Sequence, residues 1–209
     1  MPKSSLAEAR LYGFIDTAYL DDRDPAEVAR KLIAGGVDII QVRAKDYSHV
    51  ERVQLTLAVI GVAFRERIPV IVNDDIDAAF ETGADGVHLG QEDWAATSRD
   101  QLANMRIVGI STHSLEQALR AERDGADYIG VGPVFATGTK PGVQPVGLEL
   151  IRQVAGKVAV PFFAIGGITP SRVDEVVGAG ATRVAVVSAI LQAPDVAKAA
   201  RAFKTSLPA

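Results

Sequence analysis

The fold of this chain is indicated by a short stretch, Gly125-Ala126-Asp127-Tyr128-Ile129, in which glycine ends an amphipathic segment and an apolar run follows. Glycine after a helix is typical of a left-handed C-terminal cap, and the residues behind it begin a strand. The same junction recurs at residues 36–40, 83–87 and 180–184. The spacing between junctions is long enough for two strand–helix units rather than one.

Four further strands are predicted between these junctions, at residues 11–15, 70–73, 107–111 and 162–165. The intervening segments open with helix-capping residues such as Ser48, which Glu51 follows at the capping-box spacing. The strands are nearly continuous apolar runs, as expected of a parallel sheet that helices cover. The sequence therefore predicts an α/β fold, a single-domain (β/α)8 TIM barrel over residues 1–209, compact for a class that usually needs about 200 to 250 residues.

Composition narrows the classes of function. The 209 residues are 48% apolar, contain no cysteine and carry a net charge of −4. The absence of cysteine excludes disulfides, thiolate zinc sites and cysteine nucleophiles, and the charge argues against nucleic-acid binding. No apolar run approaches the roughly 20 residues that a transmembrane helix needs. We expect a soluble cytoplasmic protein that binds small molecules and has neither a nucleic acid nor a membrane as partner. The sequence leaves open whether it forms a homo-oligomer.

The active site of such a barrel lies where the strands end, so polar residues there are candidates for function. Strand two ends in Gln41-Val42-Arg43-Ala44-Lys45, and alternation puts Gln41, Arg43 and Lys45 on one face. If Ile39 faces the barrel interior, two cations point into the mouth. The alternative is a solvated strand end with salt bridges of little energetic value.

Carboxylates follow strands three and four. In Asn73-Asp74-Asp75, Asp75 is placed to cap the next helix, which leaves Asp74 as a candidate ligand for a hard metal. Asp93, beyond strand four, supplies a second carboxylate. Two carboxylates from neighbouring loops suit Mg²⁺, which keeps several waters and favours substrate phosphates. On its own, Asp93 is equally consistent with an N-cap for a helix that begins at Trp94.

Strand five ends in Ser111-Thr112-His113, with Ser111 and His113 on one face. A serine–histidine hydrolase is disfavoured because the chain has no strained elbow of the G-x-S-x-G kind around this serine. His88, inside strand four, is expected to be a hydrogen-bonded interior histidine.

The remaining candidates suit phosphate groups. The loop at residues 135–147 is longer than βα loops usually are, and it is interpreted either as a lid whose Thr137, Thr139 and Lys140 donate to phosphate oxygens or as a mobile surface loop. Gly166-Gly167 ends strand seven and Ser188-Ala189 follows strand eight, where barrels often bind phosphate through backbone N–H groups. We expect Ser188-Ala189 to open the final helical segment.

Taken together, these motifs closely resemble the thiamine phosphate synthase family. The resemblance is collinear from strand two to Ile190 and rests on six segments, namely residues 41–45, 72–75, 88–93, 111–113, 137–140 and 165–168. It implies a transferase that joins 4-amino-2-methyl-5-hydroxymethylpyrimidine diphosphate to 4-methyl-5-(2-phosphoethyl)thiazole and releases pyrophosphate, with Mg²⁺ as cofactor.

The resemblance also implies roles for individual residues. The pyrimidine diphosphate would be contacted by Gln41, Arg43, Lys45 and Asn73, with Ser111 beside the pyrimidine ring. Mg²⁺ would be bound by Asp74 and Asp93. Phosphates would be covered by Thr137, Thr139 and Lys140, and the thiazole phosphate would be held by Gly167, Val187 and Ser188. Arg43, Lys45, Ser111 and Lys140 would be the catalytic set. The chain departs from the family pattern at Ala44, where an acidic residue is usual, and we expect only a local packing or salt-bridge change.

Three alternatives remain on sequence alone. A thiazole tautomerase is a related barrel that handles neither pyrophosphate nor metal, and the presence of Asn73, Asp74, Asp93 and Lys140 argues against it. An isomerase or aldolase of the phosphate-binding barrel group would use the same Gly166-Gly167 site. A non-catalytic phosphate-binding barrel would bind without turnover. The sequence also leaves open whether the thiazole is carboxylated.

Overall fold

The computed structural model describes residues 4–138 and 142–208 and contains a closed barrel of eight parallel strands in sequence order. The strands are β1 Leu11–Asp16, β2 Ile39–Arg43, β3 Val70–Asn73, β4 Gly86–Leu89, β5 Ile107–Thr112, β6 Tyr128–Val131, β7 Phe162–Ile165 and β8 Val184–Ala185. The barrel closes where Leu11 pairs with Val184 and Tyr12 with Ala185. The predicted α/β barrel fold is confirmed.

Helices surround the barrel. They are α1 Ser4–Glu8, α2 Pro25–Ala34, α3 His49–Ala63, α4 Ile76–Thr82, α5 Gln91–Ala96, α6 Arg99–Leu102, α7 Leu115–Arg123, α8 Gly147–Ala155, α9 Val173–Gly178, α10 Ser188–Leu191 and α11 Val196–Ser206. The segment that opens at Ser188 has only four helical residues, so the expectation that it is the final helix is wrong, because α11 follows it. Within residues 4–138 and 142–208, no helix combines the length and apolar character needed to cross a membrane.

The glycine junctions have the predicted backbone geometry. Gly36, Gly83, Gly125 and Gly180 have φ angles of 89°, 67°, 91° and 104°. These left-handed values are costly for residues with a Cβ atom, so glycine allows each helix to end and the chain to turn into the next strand.

Three of these glycines are followed, two residues later, by an aspartate that links neighbouring strands in pairs. This pairing is consistent with the occurrence of the junction before every second strand. Each carboxylate accepts a hydrogen bond from a backbone N–H at the start of the preceding strand. Asp38 Oδ2 accepts from Leu11, Asp85 Oδ2 from Val70 and Asp127 Oδ2 from Val108, the second residue of β5, at 2.8, 3.0 and 2.8 Å. The aspartates therefore join β1 to β2, β3 to β4 and β5 to β6 at the strand starts. Their role is structural, because the site of such a barrel lies at the opposite ends of the strands.

Aromatic rings fill part of the barrel interior. The rings of Tyr12, Tyr128 and Phe163 pack edge to face, with centroids 5.3 to 5.8 Å apart. Gly109 of β5 provides the space, because a Cβ atom on it would lie 2.0 Å from Tyr128 Cζ. These rings form the floor beneath the mouth of the barrel, at the ends of the strands.

Candidate active site

Two adjoining cavities lie at the carboxyl ends of the strands. The larger, about 630 Å³, is bordered by the ends of β5 to β8, and the smaller, about 490 Å³, lies in the mouth of the barrel. They share the walls formed by Ser111, Gly130, Ile165, Ala185 and Val187. The shared walls make this region one continuous site with two compartments.

Two of the three predicted polar residues of β2 line the smaller cavity. Gln41 is buried, and its Nε2 donates to the Tyr12 hydroxyl over 2.9 Å. Arg43 Nη1 donates to Asp16 Oδ2 over 2.8 Å, with 11% and 1% of the two side chains exposed. The salt-bridge alternative is therefore correct in that Arg43 is ion-paired, but the pair is buried rather than solvated.

Asp16 is a functional candidate that the sequence reasoning missed. It ends β1, and its second oxygen, Oδ1, accepts from the Ala18 N–H over 3.1 Å, so the carboxylate that holds Arg43 is itself fixed. The available signal was its position, because the strand-end argument that selected Arg43 applies equally to the last residue of β1.

Lys45, Asn73 and Asp74 meet beside this cavity. Asp74 Oδ2 accepts from Asn73 Nδ2 over 2.6 Å and lies 3.7 Å from Lys45 Nζ. Asp74 has a φ of 62°, a left-handed conformation that costs on the order of 1 to 3 kcal/mol at a non-glycine residue. Its backbone N–H donates to the His88 carbonyl over 2.9 Å, which holds this conformation. The turn thus keeps the Asp74 carboxylate, about a third exposed, at the mouth.

Asp75 caps α4 as predicted. Its Oδ1 accepts from the Ala78 N–H over 2.8 Å, and its Oδ2 pairs with Arg52 Nη1 over 2.6 Å and with His49 Nδ1 over 3.3 Å. Burial acts to raise the pKa of Asp75, but the Ala78 hydrogen bond, His49 and Arg52 outweigh it, so that this pKa lies below its usual value. Asp75 is fully engaged in structure, which leaves Asp74 as the carboxylate of this turn that faces the site.

Asp93 lies in the first turn of α5 and is exposed. The N-cap of that helix is Gly90, so the alternative in which Asp93 caps a helix beginning at Trp94 is wrong. Asp74 and Asp93 follow the adjacent strands β3 and β4. Among the described residues, no group of three or more His, Cys, Asp or Glu is suited to a metal, so the predicted site would rely on Asp74 and Asp93 as its carboxylates. Two hard oxygen donors fit Mg²⁺, which commonly completes its shell with water and phosphate.

Ser111 belongs to a row of hydrogen bonds inside the barrel. Its Oγ lies 2.9 Å from His88 Nε2, His88 Nδ1 lies 3.0 Å from the Tyr128 hydroxyl, and that hydroxyl lies 2.8 Å from the Tyr12 hydroxyl. The interior, hydrogen-bonded His88 is confirmed. Tyr12 and Tyr128 were missed, because a tyrosine in a strand is typical of ordinary core.

Ser111 and His113 both line the larger cavity, as their predicted shared face requires. His113 is tied to the backbone, since its Nδ1 contacts the Gly132 carbonyl and its N–H donates to Gln117 Oε1 over 2.7 Å. The histidine paired with Ser111 is instead His88, and His88 is oriented by a phenol rather than a carboxylate. This arrangement differs from a hydrolase triad.

The ends of β7 and β8 form the floor of the larger cavity. Gly166 and Gly167 have φ angles of 101° and 62°, and Cβ atoms on them would lie 2.4 Å from Pro133 Cβ and 2.5 Å from the Ala136 carbonyl oxygen. Only glycine therefore fits this close approach of two loops. Gly167, Val187 and Ser188 line the cavity together, where backbone N–H groups suit a phosphate.

The long loop after β6 is described only in part. Thr137 lines the larger cavity, whereas Thr139 and Lys140 lie outside the described residues. Their predicted contacts with phosphate remain predictions.

The Ala44 side chain is buried beside Arg52, and both line a further cavity of about 440 Å³ with Lys45, Asn73 and Asp74. Among the described residues, Arg52 Nε is buried without a hydrogen-bond partner. An acidic side chain at position 44 would share this cavity with the Arg52 guanidinium. The expected local salt-bridge change therefore has a specific partner in Arg52.

Comparison with known proteins identifies the family. A family model described as thiamine monophosphate synthase matches residues 11–190. The chain is 42% identical over 204 residues to the thiamine-phosphate synthase of Halalkalibacterium halodurans, covering 97% of each chain, and 46% identical over 179 residues to that of Thermus thermophilus, covering 85% of this chain and 86% of the other. The solved thiamine phosphate pyrophosphorylase from Pyrococcus furiosus superposes with a TM-score of 0.86 at 33% identity, over 98% of this chain and 96% of that one. This chain therefore belongs to the thiamine monophosphate synthase family.

Proposed function

We propose that this chain joins the pyrimidine diphosphate to the thiazole phosphate in the two compartments described above and releases thiamine phosphate and pyrophosphate. The observation that carries this assignment is the pair of adjoining cavities with Ser111 in their common wall. One cavity has Gln41 and Arg43, which suit an aminopyrimidine and its diphosphate, and the other has the Gly166-Gly167 turn and Ser188, which suit a phosphate. Two substrates bound in this way would meet at the shared wall.

The diphosphate would lie at the outer edge of the smaller cavity. Arg43, which Asp16 holds, lines this cavity, and Lys45 lies 3.7 Å from Asp74 at its border; these two cations and Lys140 of the loop are proposed to contact the diphosphate. Asn73 would donate to the same group. Asp74 and Asp93 would hold Mg²⁺, which when bound would neutralise part of the diphosphate charge.

The proposed chemistry is a dissociative substitution. The bond between the exocyclic methylene carbon and the diphosphate oxygen breaks, and the electron pair leaves on pyrophosphate. The lone pair of the thiazole nitrogen then forms the new carbon–nitrogen bond, so no protein nucleophile or general base is needed. Arg43, Lys45 and Lys140 would stabilise the charge that grows on the leaving group, and such preorganised electrostatics is usually the largest catalytic contribution.

The electron demand of the pyrimidine tests this mechanism. A substituent that withdraws electrons from the ring destabilises positive charge at the methylene carbon and should slow the chemical step severely. Single-turnover rates for a series of substituted pyrimidine diphosphates would measure the effect. Rates that are insensitive to the substituent would rule out a carbocation.

The function itself is tested by incubating the purified protein with both substrates, in Mg²⁺ or in chelator, and detecting thiamine phosphate by mass spectrometry. We expect product that depends on Mg²⁺. Binding of both substrates without product would favour a non-catalytic barrel, and product that is equal in chelator would refute the Asp74–Asp93 metal site.

We also propose that residues 1–209 form a single domain. The family match alone extends from residue 11 to residue 190, across all eight strands. The cytoplasmic location expected from composition stays a prediction.

A further inference from the structure

Five polar side chains form a continuous row through the barrel interior. Gln41 contacts Tyr12, Tyr12 contacts Tyr128, Tyr128 contacts His88, and His88 contacts Ser111, over 2.9, 2.8, 3.0 and 2.9 Å. The two ends of the row, Gln41 and Ser111, both line the smaller cavity. The hydrogen bonds that a ligand can make with Gln41 are thus linked, through the row, to those that it can make with Ser111.

The row has one direction of donation. Gln41 presents its amide nitrogen to Tyr12, and an amide NH₂ group only donates, so the Tyr12 oxygen accepts. With this orientation of the Gln41 amide, every hydroxyl proton in the row has an acceptor only when Tyr12 donates to the Tyr128 oxygen and Tyr128 donates to His88 Nδ1, and the 2.8 and 3.0 Å contacts permit both. Because Nδ1 accepts from Tyr128, the tautomer of His88 that fits the row has its proton on Nε2, which donates to Ser111 Oγ.

The consequence appears at the two ends. Ser111 accepts from His88, so its own proton is left to donate to a ligand. Gln41 uses its NH₂ group on Tyr12, so its Oε1 is left to accept. Burial raises the pKa of both Tyr12 and Tyr128 above the usual value, which keeps each phenol protonated and able to pass on one donor. The smaller cavity therefore presents one acceptor and one donor.

The surrounding packing holds the row in place. Tyr12 and Tyr128 are fully buried and both pack edge to face on Phe163, and the absence of a side chain at Gly109 makes room for the Tyr128 ring. To reverse the direction, the Gln41 amide would have to flip and every proton in the row would have to move to the other partner. The loss of one hydrogen bond in the row therefore alters the donor and acceptor pattern at both Gln41 and Ser111.

We propose that Tyr12, Tyr128 and His88 act as a polarity relay, a row of positioning residues that makes the site select a 4-aminopyrimidine over a 4-oxopyrimidine. The inference rests on the proposed function and deepens it. The amino group of the preferred ring donates to Gln41 Oε1 and the neighbouring ring nitrogen accepts from Ser111, whereas a 4-oxo ring with its N–H presents the opposite pattern. In that case an oxygen faces Gln41 Oε1 and an N–H faces the Ser111 proton.

Binding of unreactive ligands tests the relay without the electronic effect of the ring on bond breaking. The probes are the monophosphates of the 4-amino and the 4-oxo hydroxymethylpyrimidine, and the measurement is the ratio of their Kd values by calorimetry. A site that hydrogen-bonds a polar group rejects a mismatched analogue by large factors, and we expect the wild-type protein to prefer the 4-amino ligand by about 10³-fold or more. In Tyr128→Phe the ratio should fall by about tenfold or more, because the His88 proton is no longer assigned to Nε2.

A double-mutant cycle separates a relay from two independent contacts. Tyr12→Phe should also reduce the ratio, and Tyr12→Phe/Tyr128→Phe should reduce it no further than the more severe single variant, because the row is already interrupted. Tyr47→Phe is the matched control, since this tyrosine is 40% exposed and outside the row, and its ratio should equal that of wild type. Thermal unfolding of each variant confirms that the barrel is folded.

The outcomes are distinct. The relay would be overturned by unchanged Kd ratios in folded Tyr12→Phe and Tyr128→Phe, or by effects that add fully in the double variant. The proposed function would stand in either case if the wild-type protein still forms thiamine phosphate. A wild-type protein that neither binds the 4-amino ligand nor forms product would overturn both.

Discussion

Arg43 and Asp16 form the most deeply buried ion pair among residues 4–138 and 142–208, and replacing Asp16 by asparagine tests its value. Asparagine keeps an oxygen within reach of Arg43 Nη1 but removes the negative charge. Loss of one partner from a buried pair costs about 3 to 5 kcal/mol, because the remaining charge is uncompensated. The retained hydrogen bond offsets part of this cost by about 1 to 2 kcal/mol. We therefore expect the free energy of unfolding to fall by about 1 to 4 kcal/mol.

The assay is urea unfolding followed by circular dichroism, with Glu27→Gln as the control. Glu27 pairs with Lys31 one turn away over 2.9 Å, and both side chains are at least half exposed, so its loss should cost under about 0.5 kcal/mol. Turnover of Asp16→Asn should also fall, by about tenfold or more, because a small displacement of Arg43 weakens its contact with the leaving group. If Asp16→Asn unfolds at the same urea concentration as Glu27→Gln, the buried pair does not have the role assigned to it.

Three further predictions concern the same site. Asp74→Ala and Asp93→Ala should each leave the barrel folded but raise the Mg²⁺ concentration for half-maximal rate by about tenfold or more. Even residues that only orient a metal ligand change metal affinity by about tenfold. Wild-type Mg²⁺ saturation in both variants would refute the metal site. Lys140→Ala should slow the chemical step by about 10²-fold in single-turnover experiments, the cost of one lost electrostatic donor, and an unchanged step would exclude Lys140 from catalysis. Ala44→Glu should add a local pair with Arg52 and leave steady-state turnover near the wild-type value, and a substantially faster variant would show that the alanine impairs the site.

The barrel was predictable because its signals are local. In three of the four junctions an aspartate lies two residues after the glycine, and the geometry of all four, a left-handed turn followed by a strand, depends on neighbours a few residues away. The strand-end residues Gln41, Arg43 and Asp74 were found for the same reason, since alternation within one strand and the known polarity of a barrel are enough to place them.

The relay was not predictable because its contacts join distant parts of the chain. Tyr12 and Tyr128 are 116 residues apart, and their hydroxyls meet only when β1 and β6 face each other across the closed barrel. A tyrosine in an apolar strand carries no local sign of a hydrogen-bonding partner. The N-cap of α5 was also hard to predict. Gly90 caps this helix without a side-chain hydrogen bond, so the sequence pointed to the nearby Asp93, whose side chain is of a type that commonly caps helices.

The central claim is that one site on this chain exchanges pyrophosphate for a thiazole on the pyrimidine methylene. The most direct measurement is a quenched time course with both substrates and Mg²⁺, in which thiamine phosphate and pyrophosphate are quantified in the same samples. We expect the two products to appear together and in equal amounts, and neither to appear when the thiazole phosphate is replaced by buffer during the same interval. Pyrophosphate released in excess of thiamine phosphate would indicate hydrolysis, and the absence of both products from folded protein would contradict the assigned function.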